Sequence, residues 1–284
     1  SVSFQVKWMD YAKVKVMKKD NVTNTALAGA VFGIYSDKEC TKLITKMPAT
    51  NEKGETQVEI PKTQDTVYLK EISVPEGYKL NTESFNVKLE TGKTTSVAVT
   101  NEEQKGKITI RKKGEVLTGV TGEEGNLTFV YGNADFAGAE YNIYAAEDIY
   151  SQDKVTKVHK AGDLVESLTT GEDGSAVSKE LYLGKYKVVE QKAPENLVIG
   201  KTEQERTQFL TLSYAGQNVE LSQGETVFTN ARPEISVNVV KKSKHDDVTL
   251  EGATFGLYVE EDLTAADGKV LVEKGSLVER AVSD

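Results

Sequence analysis

A lysine, a glutamate and an asparagine recur at matched positions in two stretches of this 284-residue chain. The two sets are Lys18, Glu71 and Asn101, and then Lys112, Glu190 and Asn230. Burial among apolar side chains lowers the pKa of a lysine, and the neutral amine is a nucleophile. A buried carboxylic acid stays protonated more readily and can pass protons to its neighbours. The three residue types could therefore join the amine to the carboxamide carbon and release ammonia, with the glutamate moving the protons.

The apolar faces of predicted strands continue directly into these residues. Val14, Val16 and Lys18 alternate along one strand, and side chains two apart on a strand share a face. The same alternation in the neighbouring strands directs the other five residues of the two sets, which are Glu71, Asn101, Lys112, Glu190 and Asn230, toward a core. Buried lysine and glutamate are rare unless they are paired, because removing either charge from water is costly. One interpretation is a buried ion pair with a hydrogen-bonded asparagine. The other is a spontaneous isopeptide bond, and recurrence of all three types in two copies favours it.

Internal repeats set the register of these residues. A motif that contains Gly-Ala and ends in Tyr occurs at 27–35, 136–144 and 250–258, each time after a short segment ending in paired lysines. The blocks around the glutamate and the asparagine follow only the first two copies. The repeats predict a domain at 1–104, a second at 105–232, and the first half of a third at 233–284. Lys241 is the candidate nucleophile of the third copy, without a glutamate or asparagine partner in this sequence.

The second copy carries an insertion near 114–133 that is rich in glycine. We expect this stretch to be a loop, because glycines favour turns and irregular backbone. Binding residues tend to lie on loops held by a rigid scaffold, and aromatic side chains often anchor interfaces. Phe129 and Tyr131 are therefore the candidate ligand-binding residues of this loop.

The elements that position the triads are predicted to be short strands. Apolar and polar residues alternate at 14–18, 67–71, 97–101, 108–112, 186–190 and 235–241, with turn signals at 51–54 and 171–174. Short strands of this kind in units of about 100 residues are typical of β-sandwiches. The sequence therefore predicts an all-β protein of tandem β-sandwich domains.

Composition argues against several classes of function. The formal net charge is −9 and the pI is about 5.1, whereas nucleic acids and anionic membranes are bound through clustered Lys and Arg. One Cys and two distant His supply neither an intrachain disulfide nor a zinc site. The longest apolar run, at 26–35, is too short to span a membrane. We expect no metal, no cofactor, no nucleic acid partner and no membrane span in this chain.

The combined motifs resemble those of the Cna B-type domains of Gram-positive surface proteins, which build adhesin stalks and the subunits of sortase-assembled pili. The matching blocks are the lysine strand, Leu27-Ala-Gly-Ala-Val-Phe-Gly-Ile-Tyr35, Glu71-Ile-Ser-Val-Pro-Glu-Gly-Tyr78 and the terminal asparagine. The resemblance implies immunoglobulin-like, prealbumin-like sandwiches in which Lys18 is bonded to Asn101 and Lys112 to Asn230. Glu71 would transfer protons between Lys18 and Asn101, and Glu190 between Lys112 and Asn230. The second copy departs from the family at 196–197, where Asn-Leu replaces Gly-Tyr.

Three functions follow as hypotheses. The first is a non-enzymatic, rigid stalk on the Gram-positive cell surface, extracellular and anchored to the cell wall. Its partners would be the other domains of the same surface protein and a sortase-linked pilus or cell wall. The second is an adhesin that contacts a host matrix or cell-surface ligand through the insertion loop. The third is an enzyme, which is disfavoured because no second carboxylate pair, metal set or nucleophile elbow is recognisable in the sequence.

Overall fold

A computed structural model describes residues 9–283 of the chain. Residues 1–8 and 284, which the sequence analysis placed in the first and third domains, lie outside the described residues. Within the described range every regular element is a β-strand, so the all-β prediction is confirmed. No helix in this range is long and apolar enough to cross a membrane.

The first sandwich packs a three-stranded sheet on a four-stranded sheet. Its strands are β1 (Tyr11–Asp20), β2 (Val31–Tyr35), β3 (Leu43–Lys46), β4 (Glu55–Pro61), β5 (Thr66–Ser73), β6 (Ser84–Lys88) and β7 (Thr94–Asn101). The sheet orders are β4-β1-β7 and β3-β2-β5-β6. Inward-facing residues of both sheets, among them Val14, Val16, Phe32 and Leu69, form one buried apolar core. The alternation read from the sequence therefore separates the core face from the solvent face.

The second sandwich repeats this plan. Its strands are β8 (Lys105–Glu123), β9 (Asn126–Asp135), β10 (Glu140–Ala145), β11 (Ile149–Tyr150), β12 (Lys157–His159), β13 (Leu164–Thr169), β14 (Ser175–Val177), β15 (Leu181–Tyr182), β16 (Gly184–Lys192), β17 (Thr207–Leu212) and β18 (Leu221–Asn230). Strand β8 lies between β14 and β18, opposite the sheet β13-β10-β16-β17. A separate apolar core that includes Ile108, Tyr141 and Val188 fills the space between these sheets.

In each sandwich the first and last strands lie side by side and run parallel. Lys18 on β1 is opposite Val99 on β7, and Asn101 lies two residues further along β7. Strands β8 and β18 repeat this register, with Lys112 opposite Phe228. Because residues two apart share a face, the lysine and the asparagine of each pair point to the same core.

The insertion near 114–133 forms a β-hairpin, so the expectation of a loop is wrong. Strand β8 continues through it to Glu123 and returns as β9 in an antiparallel ladder. Apolar residues alternate with polar ones along much of both arms, and the ladder has one irregularity, between Leu117 and Gly119. Gly125 has a φ angle of 85° and lies in the two-residue turn at the tip, between Glu123 and Asn126.

The third segment contains β19 (Thr254–Tyr258), β20 (Leu263–Thr264), β21 (Val270–Val272) and β22 (Leu277–Val282). The strand predicted at 235–241 is wrong: residues 231–253, all of them described, form no strand, and Lys242 makes only an isolated bridge to Thr249. The matching strands β1 and β8 are hydrogen-bonded on both sides, whereas 235–241 has no neighbouring strand among the described residues. An alternating sequence does not form a strand unless a neighbouring strand is available to hydrogen-bond with it.

Candidate functional sites in two buried triads

The first triad converges at one end of the first sandwich. Nζ of Lys18 lies 3.1 Å from Oε1 of Glu71, and Nδ2 of Asn101 donates a hydrogen bond of 2.7 Å to Oε2 of the same carboxylate. The three residues are 0, 2 and 2% exposed. The glutamate therefore bridges the amine and the carboxamide inside the core, with one oxygen toward each.

Two main-chain groups complete this arrangement. Nδ2 of Asn101 also donates to the carbonyl oxygen of Lys79 at 2.8 Å. The N–H of Asn81 donates to Oε2 of Glu71 at 2.8 Å. Both groups belong to residues 74–83, which connect β5 to β6 and which we call the glutamate loop. Its conformation fixes the orientation of the carboxamide and of the carboxylate.

The second triad has the same members in a different hydrogen-bond pattern. Nζ of Lys112 lies 2.7 Å from Oε1 of Glu190, and Nδ2 of Asn230 donates to that same oxygen at 3.2 Å. The hydroxyl of Tyr141 donates to it at 3.5 Å. The three triad residues are 0, 2 and 6% exposed. All these contacts converge on one carboxylate oxygen instead of two.

Burial changes the protonation of both lysines. Desolvation lowers the pKa of Lys18, and the opposing charge of Glu71 only partly offsets it. The pKa of Lys112 is lowered for the same reason. Within residues 9–283, Nζ of neither lysine has a hydrogen-bond partner, although each lies close to an oxygen of its glutamate. A buried ammonium with unused donors is costly, so burial shifts each lysine toward the neutral amine.

Matched glycines hold the backbone of the two lysines. The N–H of Lys18 donates to the carbonyl of Gly54 at 2.7 Å, and that of Lys112 donates to Gly174 at 2.8 Å. Both glycines have positive φ angles, 70° and 68°. A Cβ on Gly54 would lie 2.2 Å from the carbonyl oxygen of Lys18. These glycines end the turn signals at 51–54 and 171–174, and their recurrence in both copies was a visible sign of a shared role.

The departure of the second copy at 196–197 preserves the local backbone. Gly77 has a φ of 95°, and Asn196 at the matching position has a φ of 64°. Asparagine tolerates this left-handed conformation better than other non-glycine residues. The following residues Tyr78 and Leu197 donate their N–H groups to Pro75 and Pro194. The turn after the glutamate is therefore retained in both sandwiches.

The remaining candidate residues lie away from the triads. Lys241 is exposed and belongs to no strand. Phe129 is half-buried and lies beside Leu257 of the third segment. The ring of Tyr131 is 36% exposed, and the guanidinium of Arg232 lies 3.8 Å from its centre. Among the described residues, no three His, Cys, Asp or Glu side chains are grouped as metal ligands.

A family model for the SpaA prealbumin-like fold domain matches residues 12–103 and 130–208, which are more than half of the chain. The chain belongs to this family. The match confirms the prealbumin-like fold that the motifs predicted. The whole first triad and Glu190 lie within the matched ranges, whereas Lys112 and Asn230 lie outside them.

Three known proteins illustrate what this chain is similar to. The trypsin-resistant surface T6 protein of Streptococcus pyogenes serotype M6 is 37% identical over 78 residues, which are 26% of this chain and 13% of that protein. The Bacillus anthracis TIE protein superposes with a TM-score of 0.53 at 22% identity, over 96% of this chain and 43% of that one. A streptococcal ancillary pilin aligns over 78% of this chain and 62% of its own, at 19% identity and a TM-score of 0.32. This chain therefore spans less than half the length of the T6 and TIE proteins that it matches.

Proposed function

We propose that this chain is a structural segment of a bacterial surface protein that forms two isopeptide bonds on its own, Lys18 to Asn101 and Lys112 to Asn230. The observation that carries the proposal is the position of Glu71, whose oxygens lie 3.1 Å from the amine and 2.7 Å from the carboxamide nitrogen. A simple ion pair does not require a carboxamide on the far side of the carboxylate. A proton shuttle between a nucleophile and a leaving group does.

The reaction begins when a proton passes from Nζ of Lys18 to Glu71, which leaves a neutral amine beside a carboxylic acid. The amine attacks Cγ of Asn101, and the carbonyl electrons move onto Oδ1. Glu71 then protonates Nδ2 and removes a proton from Nζ. Collapse of the intermediate re-forms the carbonyl, breaks the Cγ–Nδ2 bond and releases ammonia. Fixed proximity in a dry core replaces most of what a separate enzyme would supply.

The second triad would follow the same steps through a single oxygen, Oε1 of Glu190, which contacts both Lys112 and Asn230. One carboxylate oxygen can accept a proton from the amine and then deliver it to the carboxamide nitrogen. Because each bond forms once within its own chain, the process is self-modification and no substrate is turned over.

The position of the bonds suits a protein that carries tension. In each sandwich the bond would join the first strand to the C-terminal end of the parallel last strand. A pull on the two ends of the first sandwich would then pass from β1 through the bond to β7. Everything between Lys18 and Asn101 would lie outside the loaded path. Closing a loop of roughly 80 residues should also stabilise the fold by roughly 4 kcal/mol in the chain-entropy model.

The names of the relatives support a location on the bacterial surface. One is described as a surface protein and another as an ancillary pilin. We infer that this chain works outside a Gram-positive cell, in series with further domains of its parent protein and anchored to the cell wall or a pilus. The −9 net charge is compatible with a solvated, exposed stalk.

Single-molecule pulling tests the mechanical part of this proposal. When the wild-type chain is stretched from its ends, residues between each lysine and its asparagine should not extend at any force that leaves covalent bonds intact. A Lys18→Ala, Lys112→Ala double variant should release the full length of both sandwiches. Release of that length by the wild type would refute the stalk mechanism.

The exposed ring of Tyr131 supports a second candidate function, an adhesin that contacts a host ligand through the hairpin of β8 and β9. The variant Tyr131→Ala removes this ring from the surface, and Val155→Ala, at an exposed residue of the second sandwich, is the matched control. If Tyr131→Ala binds host matrix or cells as well as the control does, the adhesin function is wrong. The structural stalk is then the remaining proposed function.

A further inference from the structure

The first triad depends on a loop that the second sandwich holds in place. Asn101 and Glu71 are both oriented by main-chain groups of the glutamate loop, at Lys79 and Asn81. This loop faces residues 213–220, which connect β17 to β18 in the second sandwich and which we call the clasp. Several hydrogen bonds join the clasp to this loop and to the end of β5, and three of them involve one residue, Gln217.

Gln217 binds the end of β5, the start of the glutamate loop and Leu80 within the loop. Its side-chain Oε1 accepts a hydrogen bond of 3.1 Å from the N–H of Val74, and its Nε2 donates to the carbonyl of Ile72 at 3.2 Å. Its main-chain carbonyl accepts from the N–H of Leu80 at 2.9 Å. Ile72 is adjacent to Glu71, and Leu80 stands between the two loop residues that contact the triad. The contacts at Ile72 and Leu80 are therefore each one residue away from a group of the triad or a group that orients it.

Other clasp residues reinforce this contact. The hydroxyl of Tyr214 donates to the carbonyl of Tyr78 at 3.1 Å. Glu220 pairs with Nζ of Lys79 at 2.5 Å, although both groups are partly exposed and the pair adds little by itself. Gly216 has a φ of 102°, which permits the turn that presents Gln217 to the first sandwich. The clasp therefore meets the loop at three consecutive residues, 78–80, as well as at its start.

The geometry points to Gln217 as a positioning residue, contributed by the second sandwich, for the crosslinking reaction of the first. This inference rests on the proposed isopeptide chemistry. It implies that the Lys18–Asn101 bond forms at full rate only after the second sandwich has folded and closed the clasp. Crosslinking would then report correct docking of neighbouring modules as well as folding of one module.

The second triad provides an internal control within the same chain. Its corresponding loop, residues 193–206, is held by its own sandwich, where the N–H of Val198 donates to the carbonyl of Ala231 at 2.9 Å. Among the described residues, no hydrogen bond joins this loop to residues 233–283. Changes in the clasp that leave β17 and β18 intact should therefore slow the first bond and spare the second.

The test follows both bonds in the full-length chain. Unfolded, uncrosslinked chain recovered from inclusion bodies is diluted into native buffer, quenched at intervals, digested and analysed by mass spectrometry. Gln217→Ala should form the Lys18–Asn101 bond about fivefold more slowly, and the Gln217→Ala, Tyr214→Phe double variant more slowly still. Asn218→Ala, at an exposed neighbour in the clasp with no hydrogen bond among the described residues, should react like the wild type.

Folding is separated from positioning in a Glu71→Gln background, which blocks the first bond without changing side-chain size. Thermal unfolding with and without Gln217→Ala should show that the first sandwich is folded at the reaction temperature in both cases. If the first sandwich is unfolded at the reaction temperature when Gln217→Ala is present, the positioning role is wrong. A wild-type rate of the first bond in the Gln217→Ala, Tyr214→Phe double variant would also overturn it. Absence of either bond in the wild type would instead refute the proposed crosslinking itself.

Discussion

The two sandwiches place the same three residues in the same strand register, yet they hold them differently. In the first, Glu71 uses both oxygens, and the carboxamide of Asn101 has two acceptors at 2.7 and 2.8 Å. In the second, one oxygen of Glu190 receives every contact, and Asn230 has a single acceptor at 3.2 Å. The first triad is supported from the neighbouring sandwich, whereas the second relies on its own loop and on Tyr141. A repeated motif therefore does not imply equivalent sites, because the surroundings of each copy come from different parts of the array.

The largest expected effect is loss of one bond at a time. Lys18→Ala and Lys112→Ala should each prevent one bond, so that the chain loses one ammonia, about 17 Da, instead of two. The bond in the other sandwich should be unchanged. The free energy of unfolding of the affected sandwich should fall by roughly 4 kcal/mol. Lys19→Ala, at the exposed neighbour on β1, is the control and should keep both bonds. If either lysine variant keeps both mass losses, that lysine is not a partner in a bond.

Bond formation in both sandwiches should be nearly independent of pH over a broad range. Burial lowers the pKa of Lys18 and Lys112, and the proton that each amine gives up passes to the paired glutamate. Since this transfer stays within the pair, the reactive pair holds as many protons as the ion pair, and the initial rate after dilution from denaturant should be flat. The rate should fall once the pH is high enough to remove the shared proton, because the glutamate then has none to deliver to Nδ2. A rise of about tenfold per pH unit through neutrality would contradict proton transfer within the pair.

Substitution of the turn glycines should give an intermediate effect that is larger in the first sandwich. Gly54→Ala would place a Cβ 2.2 Å from the carbonyl of Lys18, while the closest approach for Gly174→Ala is 2.7 Å, to Asp135. We expect losses of about 1–3 kcal/mol in stability and slower bond formation at the altered site. Gly92→Ala is the control, since it has a similar φ of 73° with no atom within 4 Å. Equal slowing by Gly92→Ala would show that contact with the lysine backbone is unimportant.

The smallest expected effect concerns the aromatic residue beside each glutamate. Phe32 lies opposite Glu71 and Tyr141 lies opposite Glu190 in the strand ladders. Tyr141→Phe removes the 3.5 Å contact to the carboxylate and should change the rate of the second bond by no more than about threefold. A complete loss of the second bond would mean that the tyrosine is required for proton transfer in that sandwich.

Much of the fold could be predicted because it depends on local alternation. The parity that places Lys18 with Val14 and Val16 is a property of any strand, and the repeats supply the register between copies. The segment at 235–241 has the same alternation and forms no strand, since pairing depends on neighbours that alternation does not report. The hairpin at 114–133 was misjudged because its glycines were weighed above its alternating apolar residues.

The supports of the triads could not be predicted in the same way. Gln217 is distant in the sequence from every residue that it contacts, and it belongs to the other sandwich. Nothing in its neighbourhood marks it as different from any polar loop residue. The use of one or two carboxylate oxygens also depends on side-chain placement within a fraction of an ångström. Features of this kind follow from packing between modules and require the structure.

The central claim is that each sandwich closes its own covalent bond, and the intact mass of the purified full-length chain tests it most directly. We predict a mass about 34 Da below that of the sequence, together with linked peptides that contain Lys18 with Asn101 and Lys112 with Asn230. A mass equal to that of the sequence would contradict the claim for both sandwiches. A deficit of about 17 Da would contradict it for the one whose linked peptide is missing.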